Sequence, residues 1–134
     1  MRHRRRNEQV IRYYRYVSFI TLTLVFVQAV LAGRFLFVEG DALDVHEFVG
    51  NGITVVVIVQ LMLSLAAGFA PALRLPLWTS ILVILVVAQT GLGYVGRDNA
   101  DAASIHVPTG VLLFGLAMLV AVLAFLDREE EEER

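Results

Sequence analysis

Two histidines stand at matching places in the sequence and could act together as metal ligands. His46 and His106 are each followed four residues later by a glycine, Gly50 and Gly110 respectively. Residues four apart stack on one face of a helix, so each histidine would have a position without a side chain one turn away. A neutral imidazole can enter an apolar site without carrying a charge. The pattern therefore predicts two imidazole ligands, each with open space beside it.

The rest of the chain consists mainly of apolar segments that could carry these histidines as membrane helices. It has 134 residues, 57% of them hydrophobic and 18% charged, and a mean hydropathy of +0.70. So few charged residues could not cover the surface of a soluble domain. A membrane span needs roughly 20 apolar residues, and four segments meet that length: 17–38, 45–69, 77–96 and 105–126. The short connectors predict an all-α, up-down-up-down four-helix transmembrane bundle in a single domain.

The distribution of arginine predicts which side of the membrane each connector faces. All 11 basic residues are arginine, and the chain has no cysteine for disulfides or thiolate metal sites. Most of the arginines lie in three places: the basic segment 1–15, the connector with Arg74, and the acidic tail 127–134 with Arg128. The other two connectors are acidic. Cytoplasmic loops are enriched in basic residues. We therefore expect a multi-pass cell-membrane protein with both termini in the cytoplasm and four aromatic residues at the inner interface: Tyr13, Tyr14, Tyr16 and Trp78.

The two halves of the chain resemble each other. Gln28 precedes His46 as Gln89 precedes His106; the glutamines are 61 positions apart and the histidines 60. This pattern predicts two similar hairpins in tandem, related by an axis along the membrane normal. Within such hairpins, we interpret the glutamines as interhelical hydrogen-bonding groups rather than functional ones.

In the predicted bundle, helices two and four are diagonal partners, and each histidine lies in the first turn of its helix near the outer surface. Two histidines on opposed helices can hold the iron of a flat macrocycle from either side, as in b-type heme bundles. Gly50 and Gly110 would then leave room for the porphyrin edge. Arg34 and Arg97 end helices one and three at the same rim, where a guanidinium can pair with a heme propionate. The alternative is that the arginines only mark the ends of spans and the small residues only allow close helix packing.

The chain resembles one four-helix half of a heme A synthase. The stretch from Gln89 to Gly93, with Arg97 and then His106, is similar to the second hairpin of such a half, and Gln28 to Gly33 with His46 resembles the first more loosely. The resemblance covers about residues 25 to 120 and implies a bundle with heme-ligating histidines at the outer ends of its even helices. An uncharacterised family of small four-helix membrane proteins has a similar pattern, including an acidic residue at the position of Asp44.

The sequence also departs from the synthase pattern. Such enzymes carry a glutamate three residues before the first histidine and an arginine directly after it, where this chain has Leu43 and Glu47. Asp44 and Glu47 are the candidates to replace that glutamate. The resemblance therefore leaves two functions open, heme modification and non-catalytic electron transfer or heme handling with an unknown redox partner. The half length implies a homodimer that restores eight helices.

Other functions are weighed against heme binding. A non-enzymatic accessory or scaffold protein, in which the histidines only cap helices, needs no cofactor. A proton or ion carrier is disfavoured because no carboxylate lies deep inside a predicted span. Nucleic-acid binding is not expected, since the basic N-terminal segment is explained by membrane orientation and anionic lipid headgroups.

Overall fold

The protein is a bundle of four long helices. The computed structural model describes residues 2–38, 41–67 and 74–132, with side chains in the ranges 6–38, 41–67 and 75–126. The helices are α1 (Arg2–Phe37), α2 (Ala42–Ala66), α3 (Arg74–Val95) and α4 (Ala100–Glu132), and no strand occurs in these ranges. All four are long and apolar enough to cross a membrane. The predicted all-α, four-helix class is confirmed.

The helix ends differ from the predicted spans at several places. Asn99 precedes α4 and its Oδ1 accepts the backbone N–H of Ala102 at 3.0 Å, which is the geometry of an N-cap. The cap starts α4 at Ala100, so residues predicted as connector belong to the helix. His46 is consequently the fifth residue of α2 and His106 the seventh of α4. The prediction that both lie in the first turn was wrong, since each lies in the second.

The connector that carries Arg74, predicted at 71–76, ends three residues earlier than expected. Helix α3 begins at Arg74, so Pro76 lies in its first turn, where a missing N–H costs no helical hydrogen bond. The part of this connector at 71–73 lies outside the described residues, as do Glu39, Gly40 and the last two residues of the acidic tail.

Each helix packs against two neighbours. Helix α1 contacts α2 and α4, and α3 contacts the same two helices, whereas the α2 and α4 backbones do not approach each other. Contacting residues run in opposite directions along neighbouring helices: Thr21 bonds to Gln60, and further along α1 Gln28 bonds to the carbonyl of His46. Consecutive helices are thus antiparallel neighbours, and the four helices are arranged in a square with α2 and α4 on one diagonal.

Apolar side chains fill the axis of the bundle. Val57, Leu82, Val86, Ala117 and Val120 are almost fully buried there. Large apolar side chains also cover the outside, including Phe48 at 79% exposure and Ile84 at 70%. A surface of this kind is stable against lipid and not against water. Packing and interhelical hydrogen bonds, rather than apolar burial, must therefore hold the helices together.

Candidate ligand site at the histidine end

The two histidines lie together at one end of the bundle, where α1 and α3 end and α2 and α4 begin; we call this the histidine end. The imidazole centroids of His46 and His106 are 6.2 Å apart, and their planes meet at 65°. Because the α2 and α4 backbones do not approach each other, these side chains reach toward one another across the axis. The structure brings together two residues that are distant in the sequence.

The separation of the imidazoles matches that of two ligands on opposite sides of a metal. A metal–imidazole bond is about 2 Å long, and the ring centroid lies roughly 1 Å beyond the nitrogen, so opposed imidazoles have centroids about 6 Å apart. The described residues contain no group of three or more histidines or carboxylates that could complete a metal site. The two imidazoles are therefore a pair without a third ligating histidine or carboxylate beside them in this part of the chain.

Glutamine side chains anchor both histidines in the same way. Gln28 Nε2 donates to the backbone carbonyl of His46 at 2.8 Å, and Gln89 Nε2 donates to that of His106 at 2.8 Å. Each bond joins a helix of one hairpin to its partner, so the prediction that these glutamines are interhelical hydrogen-bonding groups is confirmed. The same contact occurs in both hairpins, in agreement with their similarity in sequence.

The glycines beside the histidines accommodate these glutamines. A Cβ added at Gly50 would lie 2.6 Å from Gln28 Nε2, and one added at Gly110 would lie 3.0 Å from Gln89 Nε2. Each glycine therefore lets a glutamine reach a histidine carbonyl. The predicted place of Gly50 and Gly110 beside a porphyrin edge stays a prediction.

The second hairpin also fixes the orientation of one imidazole. His106 Nδ1 lies 3.1 Å from the carbonyl oxygen of Gln89. A carbonyl only accepts, so this contact assigns the proton to Nδ1 and leaves the lone pair on Nε2, as in metal-binding histidines whose other nitrogen donates to the protein. Gly93 makes the position possible, because a Cβ there would lie 3.1 Å from His106 Cε1. Sequence analysis placed Gly93 only within a motif and missed this contact.

Two amide oxygens at the histidine end have no partner within the described part of the chain. Gln28 Oε1 and Gln89 Oε1 are both buried there without a hydrogen bond. A buried polar atom without a partner costs about 1–3 kcal/mol. In folded proteins such atoms are commonly satisfied by ordered water or by a bound molecule.

A polar cluster connects α2 and α3 beside His46. Tyr94 Oη donates to Glu47 Oε1 at 3.0 Å and accepts from Asn51 Nδ2 at 2.9 Å. Arg97 forms an ion pair with Glu47, and its guanidinium carbon lies 5.0 Å from the centroid of the Tyr94 ring. We call these four residues the α2–α3 clamp. Arg97, predicted to pair with a propionate, thus has a protein carboxylate as its partner, whereas Arg34 is exposed in the last turn of α1.

A second polar network lies in the opposite half of the bundle and was missed by the sequence analysis. Gln60 Oε1 accepts from Thr21 at 2.7 Å and its Nε2 donates to Ser18 Oγ at 3.0 Å, while Tyr14 Oη and Thr79 Oγ1 lie 2.7 Å apart. These five residues, which we call the polar core, are no more than 1% exposed. Tyr14, predicted to lie at the inner interface, therefore directs its side chain into the bundle core and not toward the outer surface. The spacing of Tyr14, Ser18 and Thr21 along one face of α1 was the available signal.

In comparisons with known proteins, no family model, no curated protein and no solved structure matches this chain. The site is therefore interpreted from its own geometry.

Proposed function

We propose that this chain is an integral membrane protein that holds a b-type heme between His46 and His106. The observation that supports it most is the 6.2 Å separation of the imidazole centroids across the axis of the bundle. The angle of 65° between the rings is compatible with this function, because each imidazole can rotate about its own metal–nitrogen bond. His106 has the tautomer that ligation by Nε2 needs.

Bound heme would supply one-electron redox chemistry, and the chain's own residues set its surroundings. The glutamines fix the backbone at both histidines, and the clamp fixes α2 against α3 near His46. The apolar axis below the site keeps water out of the rest of the bundle. These features favour electron transfer or heme handling over an open substrate site.

The main experiment is an absorption spectrum of the protein purified in detergent. We expect a Soret band that shifts on reduction and the α and β bands of a six-coordinate, low-spin iron. His46→Ala and His106→Ala should each abolish the low-spin bands because each removes one axial ligand. The matched control is His3→Ala, which changes the third histidine of the chain. An unaltered low-spin spectrum in the double variant would refute the ligand assignment.

The alternative function is that of a cofactor-free accessory or scaffold protein. A centroid separation of 6.2 Å and a tilt of 65° also fit an edge-to-face contact between two rings. The glutamine–histidine bonds would then serve only the architecture. This alternative predicts a colourless preparation that takes up no hemin and whose thermal stability does not change when hemin is added.

We extend the proposal to a catalytic role like that of a heme A synthase. This extension rests on the sequence resemblance alone. Its candidate carboxylates are Asp44, which is exposed, and Glu47, which is paired with Arg97. Co-expression with a supply of heme O tests it, because accumulation of heme A would show the activity. If heme A does not accumulate while heme b is bound, the protein handles heme without modifying it. The proposed homodimer of eight helices is tested on the same preparation by its mass in detergent.

We also propose that both termini face the cytoplasm and that the histidine end faces outward, as the arginine distribution indicates. The absence of cysteine makes a direct test possible. In intact cells, a membrane-impermeant maleimide should label Asp98→Cys but not Arg6→Cys, and disruption of the membrane should expose both. Labelling of Arg6→Cys alone in intact cells would reverse the orientation.

A further inference from the structure

The four sides of the histidine end are not equivalent. The α1–α2 side is joined by the bond from Gln28 to the His46 carbonyl, and the α3–α4 side by the bond from Gln89 to the His106 carbonyl. The α2–α3 side is joined by the clamp. Among the described residues, no hydrogen bond or ion pair joins α1 to α4 at this end. These two helices are joined near the opposite end, where Arg15 of α1 donates to the carbonyl of Ala124 of α4.

The similarity of the hairpins shows which residues replace the clamp on the α1–α4 side. Gly33 stands 61 residues before Tyr94, and Val107 and Val111 stand 60 residues after Glu47 and Asn51. A tyrosine that bridges two helices is thus replaced by a glycine, and its two polar partners by valines. The valines are 60% and 71% exposed, and nothing lies within 4 Å of the position that a Cβ of Gly33 would take.

The faces of α1 and α4 confirm this placement. Phe26 of α1 contacts Phe114 of α4, with ring centroids 6.2 Å apart. Gly33 lies seven residues after Phe26 and Val107 seven residues before Phe114, so both lie two turns nearer the histidine end on the same faces. The aromatic pair therefore bridges α1 and α4 at mid-bundle, and the matching positions at the level of the imidazoles carry only a glycine and valines.

We propose that the α1–α4 side at Gly33, Val107 and Val111 is the lateral port through which the macrocycle reaches the histidines from the surrounding lipid. The inference rests on the proposed heme function. A porphyrin has an apolar face and edge, and insertion through this side breaks no polar contact, whereas each of the other three sides would have to lose at least one hydrogen bond. The valines give the port an apolar wall, and no side chain of residue 33 stands in its way.

The test measures hemin uptake by the apoprotein in phosphatidylcholine vesicles, followed by the appearance of the low-spin spectrum. Gly33→Trp should slow uptake about tenfold without changing the final spectrum, since it blocks the route and not the ligands. The matched control is Gly91→Trp, because Gly91 also lies near the histidine end with nothing within 4 Å of its added Cβ, but on α3. Equal rates in wild type and Gly33→Trp, or equal slowing by both substitutions, would overturn the port.

A second readout does not depend on tolerance of tryptophan. Gly33→Cys and Gly91→Cys each provide a single thiol for maleimide labelling in the same vesicles. Bound hemin should protect the cysteine at position 33 about tenfold and leave that at 91 unchanged. No protection at 33 in protein that has bound hemin overturns the port alone. Failure of the wild type to bind hemin at all overturns the proposed function together with it.

Discussion

The two ends of the bundle differ in how completely their buried polar side chains are hydrogen-bonded. In the polar core, both polar atoms of the Gln60 amide are hydrogen-bonded, and Tyr14, Ser18, Thr21 and Thr79 each make at least one bond. At the histidine end, Gln28 and Gln89 use their amide nitrogens but leave both Oε1 atoms without a partner within the described residues. The polar core is therefore a complete hydrogen-bond network, whereas the histidine end has amide oxygens that could accept further hydrogen bonds.

The difference distinguishes polar groups that hold the helices together from polar groups that are available to a ligand. In lipid, interhelical hydrogen bonds contribute modestly, but a buried group without a partner remains costly. A complete network therefore determines how the helices associate, and its residues have no capacity left for a ligand. Unpaired atoms around two facing imidazoles are instead available to ordered water or to another molecule. The comparison predicts that substitutions at the two ends will affect different properties.

The largest difference should come from removing the glutamine of each network. We expect Gln60→Leu to lower the free energy of unfolding by about 1–3 kcal/mol, because it removes two interhelical bonds at a fully buried position. Gln28→Leu and Gln89→Leu should each cost less than about 1 kcal/mol, because each loses one bond and also removes an unpaired oxygen. Unfolding in dodecyl sulfate, followed by the fluorescence of Trp78, the single tryptophan, measures all three.

Hemin binding should show the reverse order for the same variants. Gln89→Leu should weaken hemin binding, because it frees the backbone that positions His106, and Gln60→Leu should leave the low-spin spectrum unchanged. If Gln60→Leu weakened binding as much as Gln89→Leu, the separation of the two ends would be wrong.

A smaller effect is expected from Gly93, which touches the histidine ring. Gly93→Ala places a methyl group 3.1 Å from His106 Cε1, so the ring must shift by a few tenths of an ångström. We expect a shift in the low-spin absorption maxima and a loss of hemin affinity of about threefold to tenfold, corresponding to roughly 1 kcal/mol. Gly52→Ala is the matched control, because nothing lies within 4 Å of its added Cβ. An identical spectrum for both variants would show that the His106 ring is not fixed by Gly93.

The fold was largely predictable from the sequence, and the site only in part. Span length and composition specify four membrane helices almost directly, because the bilayer fixes the number of residues needed. The start of α4 was missed because the cap by Asn99 was not recognised in an acidic connector. The matched positions of His46 and His106 indicated the pair, since short connectors leave α2 and α4 on a diagonal.

The contacts around the site depend on side-chain length and rotation, which a sequence pattern does not specify. Gly50 was interpreted as space for a ligand because the reach of Gln28 across the helix interface could not be read from spacing. Tyr14 was assigned to the interface with Tyr13 and Tyr16, although a shift of one residue turns a side chain by about 100° around a helix. The rotation from one position to the next places Tyr14 in the core at 1% exposure and leaves Tyr13 and Tyr16 outside at 57% and 62%.

The smallest effect should come from the clamp, which is polar but open to its surroundings. Tyr94→Phe removes the hydroxyl that joins Glu47 to Asn51 and leaves the ring beneath Arg97. Because Tyr94 is 43% exposed, solvent or lipid headgroups can replace the lost bonds, and the unfolding midpoint should change less than in Gln60→Leu. The loosened α2–α3 side should nevertheless accelerate hemin uptake in Gly33→Trp, where the opposite side is blocked. No acceleration in the double variant would mean that the hydroxyl is not what closes the α2–α3 side.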